Sequence, residues 1–310
     1  MRQAAVGALW VAAPWVLAHD MAPLQAASVP PAPARFALAF DDGPSGEEQD
    51  NPTEIILDTL TGNPTQNGIK AIFFVQTRSS DGGATPRGRA LLEREHRQGH
   101  VLALHDGSSG GHRSHRRLSD GNLEQSLSDG AADLRSIAGR SAALVRPPYW
   151  AYDARTLAAY AQHGLAMLLT DISVNDGKAW GFRASPRRRS HMASELARVH
   201  ARMIRGEIAA VEGVTPIVVT FHDSNDYTAA QMQEYLQMLV DEACSAGIAL
   251  AAQPFYDDGV ALERAALVRA RNVAQRADMV PWQWRWIDRW FGSDPDLFPR
   301  AADGSAAQWP

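Results

Sequence analysis

The stretch Arg35-Phe36-Ala37-Leu38-Ala39-Phe40-Asp41-Asp42-Gly43-Pro44 is an apolar run that stops at two adjacent carboxylates and a glycine–proline turn. The run lacks the 3.6-residue period of a surface helix, and its continuous apolar character suits a strand covered on both faces. Neighbouring side chains on a strand point to opposite faces. Asp41 and Asp42 can therefore serve one site only where the strand breaks, and Gly43-Pro44 supplies that break. Two carboxylates held together repel each other. A bound cation relieves the repulsion by taking one as a ligand and leaving the other as a base.

Working outward, similar runs recur at Ala71–Val75, Val101–Leu104, Ala143–Val145, Ala166–Leu169, Ile217–Phe221 and Ile248–Ala251, which with Phe36–Phe40 makes seven candidate buried strands. Between them, helical spacing and capping residues mark Pro52–Leu60, Arg87–Arg97, Asn122–Ile137, Asp153–Gln162, Ser190–Val211 and Thr228–Ala246. This alternation predicts an α/β fold, a distorted (β/α) barrel with about seven parallel strands, with an open doubly wound sheet as the alternative. Both architectures gather reactive groups at the carboxyl ends of the strands.

Polar elements fall where that rule places them. Val101–Leu104 runs into His105, and His112 and His115 follow in or after the glycine- and serine-rich loop Asp106–Ser114. Two imidazoles and one carboxylate suit zinc or a similar divalent ion and leave a position open for water. Arg146-Pro147-Pro148-Tyr149 follows the fourth run, and its arginine is placed to orient a carboxylate. Asp176 lies beyond the fifth run, and His222 closes the sixth. His222 is suited to protonating a leaving amine with Asp176 on its other ring nitrogen.

The ends of the chain read differently. Arg2 precedes an apolar run from Ala4 to Leu17 and a small-residue site at Val16-Leu17-Ala18, which predicts a signal peptide over 1–18, with an uncleaved anchor as the alternative. A proline-rich linker follows over 19–34, then a catalytic unit over 35–256 and a helical, tryptophan-rich extension over 257–310. In the extension, Trp282, Trp286 and Trp290 are spaced as a buried helical stripe. The expected location is periplasmic or secreted, with no stable membrane span after signal cleavage. A net charge of -5, from 30 Lys and Arg against 35 Asp and Glu, provides no basic field for nucleic acid. The one cysteine, Cys244, reads as a buried thiol in a helix. Nothing in the sequence fixes the oligomeric state.

Taken in order, Phe40-Asp41-Asp42-Gly43-Pro44, His105 with His115, Arg146-Pro147-Pro148-Tyr149, Asp176 and Phe221-His222-Asp223 resemble the polysaccharide deacetylase family, carbohydrate esterase family four, over roughly Arg35 to Gln253. The resemblance implies a distorted seven-stranded barrel and removal of N-acetyl groups from amino sugars of a chitin-like, peptidoglycan or exopolysaccharide substrate. It implies one divalent ion, zinc first with cobalt or nickel as alternatives, held by Asp42, His105 and His115. Asp41 would be the general base with Arg146 as its partner, His222 the general acid oriented by Asp176, and the Tyr149 N–H a donor to the oxyanion.

The chain departs from the family pattern in three places. The family spaces its two histidines more closely than His105 and His115. Ser114-His115-Arg116-Arg117-Leu118 matches the family's closing pattern and selects His115, against His112 as competitor. Gly177 replaces a usual tryptophan, with Trp180 nearby, and Thr220 replaces a usual apolar residue. Both changes fall on the pocket for the acetyl methyl. The loop Asp106–Ser114 is expected to be mobile and to shape polymer access. Competing readings are hydrolysis of an O-acetyl group or another carbon–nitrogen bond, and a glycan-binding protein with a decayed site.

Overall fold

The computed structural model describes residues 30–176 and 188–270. The expected signal peptide, linker residues 19–29, Gly177, Trp180 and the tail tryptophans lie outside the described residues. Among these residues eight strands form: β1 (Ala34–Asp41), β2 (Ala71–Gln76), β3 (Val101–Asp106), β4 (Leu144–Val145), β5 (Ala166–Met167), β6 (Ile172–Ser173), β7 (Thr215–His222) and β8 (Leu250–Phe255). Their ladders are parallel and follow the order β5-β4-β3-β2-β1-β7-β6, with β8 paired to the start of β1. Among the described residues no ladder joins β5 to β6. The sheet of unit 31–310 is thus a distorted, incomplete (β/α) barrel, as the apolar runs predict.

Strand β1 is its axis, because it pairs with β2 on one side and along its whole length with β7 on the other. Phe36, Leu38 and Phe40 point to the core shared with the helices, and Ala37 and Ala39 to a second core inside the sheet. That alternation of large and small side chains is the strand period seen in both faces being buried.

The helices are α1 (Pro52–Thr61), α2 (Pro86–Arg97), α3 (Asp120–Ala138), α4 (Ala154–Gln162), α5 (Arg188–Ile204), α6 (Asp226–Ser245) and α7 (Gly259–Arg269). Their starts are chemical: Asn51, Thr85, Ser119, Asp153 and Asn225 each accept a first-turn N–H, and Pro52 and Pro86 open two of them. Helix α7 inserts Leu262, Ala265 and Ala266 into the second core beside Ala37, Ala39 and Phe74. One expectation fails here. Cys244 is exposed, because α6 buries Tyr235, Leu236, Leu239 and Ala243 and turns the next residue outward.

Asp171, just before β6, ties α5 and α7 to β7. Its Oδ1 accepts from Arg202 of α5 (2.9 Å) and Arg269 of α7 (2.6 Å), and its Oδ2 accepts from the backbone N–H of Val218 (3.0 Å). The Asp171 side chain is 3% exposed, so these bonds are scarcely screened. Asp171→Ala leaves two arginines and an N–H without their acceptor and should lower unfolding free energy by about 3 kcal/mol. Glu212→Ala, which removes the exposed pair with Arg264, should barely change it. Urea denaturation midpoints of the two variants measure the contrast.

Candidate active site

Strand β1 delivers both carboxylates by breaking where the sequence suggests. Asp41 is the last strand residue, Asp42 takes φ 74, and the Gly43–Pro44 peptide is cis. The turn needs glycine at 43: a Cβ there would lie 1.9 Å from Asp223 Oδ2. The left-handed residue carries the Asp42 side chain round to the side that Asp41 already faces, and both line one cavity of about 180 Å3 with His105, His112, Pro147, Tyr149, Trp150 and His222.

On one wall, Asp42 Oδ1 lies 3.2 Å from His105 Nε2 and 3.2 Å from His112 Nε2. One donor atom from each of the three residues falls within 4.8 Å of the others. Gln76 at the end of β2 also donates to Asp42 Oδ1 (3.2 Å). Burial works to raise the Asp42 carboxyl, but the His105 hydrogen bond and the charges of His105, His222 and His112 hold it well below the ordinary carboxylate range. One carboxylate oxygen and two imidazole nitrogens fit a zinc-type divalent ion, with room left for water.

The third residue of that cluster is His112, and His115 stands apart from it. His115 is fully buried, with Nδ1 2.8 Å from the Tyr160 hydroxyl of α4 and its carbonyl accepting from Arg155. Burial, opposed by Asp106, pushes its ring down to about 4, so it packs as a neutral side chain. The match of residues 114–118 to the family pattern thus falls on a packing joint, and the expectation that His115 joins Asp42 and His105 is corrected to His112.

The loop that carries His112 is pinned. Asp106 Oδ1 accepts from Ser108 N (2.8 Å) and Ser126 Oγ (2.8 Å), and its Oδ2 accepts from Arg113 N (2.7 Å). Gly107 lies so close to α3 that a Cβ would sit 2.1 Å from the Ser126 carbonyl oxygen. The Tyr149 ring, 4.3 Å from the His112 ring between centroids, covers the other side. The loop expected to form the rim is thus tied at both of its ends to Asp106.

Behind the first carboxylate lies Arg146, which is fully buried. Its Nη1 donates to Asp41 Oδ1 (2.7 Å) and Thr220 Oγ1 (3.0 Å), and its Nε to the Leu168 carbonyl (3.0 Å). Thr220 is therefore a partner of the arginine and lines no part of the cavity. On the opposite wall, His222 Nδ1 meets Asp176 Oδ1 at 2.8 Å, leaving Nε2 to the cavity. Asp176 is fixed in turn by the His222 N–H (2.8 Å) and the Thr228 hydroxyl (2.7 Å). Burial acts to lower the His222 pKa, but the Asp176 charge and hydrogen bond outweigh it and lift it to about 10. Trp150, at φ 58 beside Tyr149 at φ 59, lines the cavity and escaped the sequence reading, which stopped at Tyr149.

A second, polar groove of about 630 Å3 shares Asp42 and His112 and runs past Ser45, Gln76, Ser79 and Asp81.

The comparisons converge with this geometry. The family model for polysaccharide deacetylases matches residues 28–168, and thus ends before Asp176 and His222. A chitin deacetylase from Pestalotiopsis sp is 28% identical over 144 residues, spanning 46% of this chain and 44% of that protein, so less than half of the relative's length is matched. The chitin deacetylase of Colletotrichum lindemuthianum superposes with a TM-score of 0.52 at 22% identity over 72% of this chain and 88% of that one. A T48 deacetylase solved with substrate gives 0.52 at 20% identity over 78% and 95%. These two structures share the fold, and the family model and the curated relative both show that this chain is similar to polysaccharide deacetylases over just under half of its length.

Proposed function

We propose that this protein is an exported, metal-dependent hydrolase that removes N-acetyl groups from amino sugars of a polysaccharide. One observation carries the reading. A carboxylate–histidine cluster (Asp42, His105, His112), a carboxylate held by a buried arginine (Asp41, Arg146) and a histidine held by a carboxylate (His222, Asp176) line one cavity. A single divalent ion, zinc first, would be held by Asp42, His105 and His112 and would supply Lewis acidity and a more acidic water.

The chain's own groups account for the proton movements. Asp41, oriented by Arg146 through one oxygen, takes the proton of the attacking water. The Tyr149 N–H donates to the oxygen on which charge develops. His222, protonated and held by Asp176, gives the Nε2 proton to the departing nitrogen. An amine is a poor leaving group without that proton, whereas an alkoxide needs it less. A histidine held by Asp176 with its Nε2 facing the cavity is placed to supply that proton, which suits amide cleavage, and a protein that only binds glycan would have no use for it. The polar groove beside Asp42 gives a polymer chain a path past the site. The expected signal peptide would place this activity in the periplasm or outside the cell.

Acetate release from chitooligosaccharides, peptidoglycan and partly acetylated exopolysaccharide, with and without chelator, tests the reading; release insensitive to metal removal overturns the metal assignment. His112→Ala should weaken divalent-ion binding at least about 100-fold, and Asp106→Asn about 10- to 100-fold through the loop, whereas His115→Ala should lower melting temperature with affinity kept. Calorimetric titration with zinc separates the three. Asp41→Asn and His222→Ala should each keep the ion and the fold and lose about 10²- to 10⁴-fold in kcat. Asp176→Asn removes the negative charge that raises the His222 pKa. The alkaline limb of kcat/KM, where the general acid loses its proton, should therefore move to lower pH.

A further inference from the structure

The cavity is two-sided. Asp41, Asp42, His105, His112 and His222 make it polar, and among the described residues its apolar lining is Pro147, Tyr149 and Trp150. Tyr149 and Trp150 hold consecutive left-handed conformations, φ 59 and 58, in a region that bulky side chains rarely adopt. Glycine would take either position without strain but would leave no side chain in the cavity. The surroundings hold the turn in place: Pro147 and Pro148 fix the approach, Trp150 N–H donates to the Pro147 carbonyl (3.0 Å), and Ala151 N–H to that of Pro148 (3.2 Å). Strain maintained in this way aims a side chain.

The two aromatic residues have different duties. The Tyr149 ring lies against His112 and is 41% exposed, so it caps the histidine loop. The indole of Trp150 stands 5.1 Å from the Arg146 guanidinium, which also lies 4.0 Å from the Phe74 ring. This puts it beside the Arg146–Asp41 pair, where the carbonyl carbon under attack must lie. The methyl group on that carbon needs an apolar surface, and Thr220 is sealed behind Arg146.

We propose that Trp150 is a specificity-determining residue: its indole is the wall against which the methyl of the acyl group rests, and it limits the hydrolysed group to a short acyl chain. The proposal rests on the deacetylase reading. Trp150→Gly suits the left-handed backbone and keeps the turn, and Trp150→Phe keeps an aromatic wall that is shorter.

The test uses metal-loaded full-length protein and chitotetraose carrying N-acetyl, N-propionyl or N-butyryl groups. The wild type should strongly prefer acetyl. In Trp150→Gly the butyryl-to-acetyl ratio of kcat/KM should rise at least about tenfold, with Trp150→Phe between, since a methylene or two in an apolar pocket is worth about that much. Calorimetric titration with acetate, propionate and butyrate should show the same loss of discrimination in Kd. Zinc affinity and the pH profile should stay as in the wild type. An equal loss of activity on all three acyl groups, or a shifted acidic limb, would mean that Trp150 only shields the Arg146–Asp41 pair, and would overturn the proposal while leaving the deacetylase reading standing. A wild type that releases no acyl group from any of the substrates would overturn both.

Discussion

A cation with no access to water sits at the centre of this fold. Arg146 is fully buried, and burying a guanidinium costs several kcal/mol unless its charge and donors are met. Asp41 supplies the charge, Thr220 and the Leu168 carbonyl accept further hydrogen bonds from Nη1 and Nε, Nη2 has no hydrogen-bond partner among the described residues, and the Phe74 and Trp150 rings lie 4.0 and 5.1 Å from the guanidinium. These partners come from β1, β2, β7, the segment after β5 and the turn after β4. The packing of five parts of the barrel is thereby tied to one side chain, and removing either member of the ion pair would strand the other in a dry interior. The same arrangement holds Asp41 facing the cavity, so the requirement for a folded interior and the orientation of a cavity carboxylate coincide.

Charge is distributed unevenly around that pair. Asp42 is held ionised by the histidines around it, whereas Asp223, one residue past His222 and hydrogen-bonded to the Thr53 hydroxyl, is raised to about 7 by burial and by the nearby Asp41 and Asp42. Two neighbouring carboxylates thus differ, Asp42 staying charged and Asp223 taking up a proton more readily.

Much of this was legible in the sequence. Continuous apolar runs located the long strands because a strand buried on both faces has no polar residues to confuse the reading. β6 escaped because it has only two residues and follows Thr170 and Asp171, whose side chains bond to the backbone of β6 and β7. Asp41, Asp42, His105, Arg146 and His222 were each betrayed by their position at a strand end, whereas Asp176, beyond the unread β6, was picked as the partner of His222. His112 was not, since spacing cannot say which of two loop histidines turns inward. The available signal was Asp106, an acid at the base of a glycine-rich loop, placed to accept the N–H groups of residues on either side of it. Cys244 was misjudged because a helical apolar run does not reveal where its buried stripe ends.

The Asp106 clasp also separates two kinds of information in the chain. One carboxylate receives the loop's departing strand at Ser108 and its return at Arg113, so the path between them begins and ends at the same anchor. Such a loop behaves as a module set into the barrel: its anchor belongs to the fold, and its contents belong to the chemistry. The histidine it presents need not keep step with the strand that precedes it, which is how a site of this kind can hold its geometry while the spacing of its residues along the chain changes.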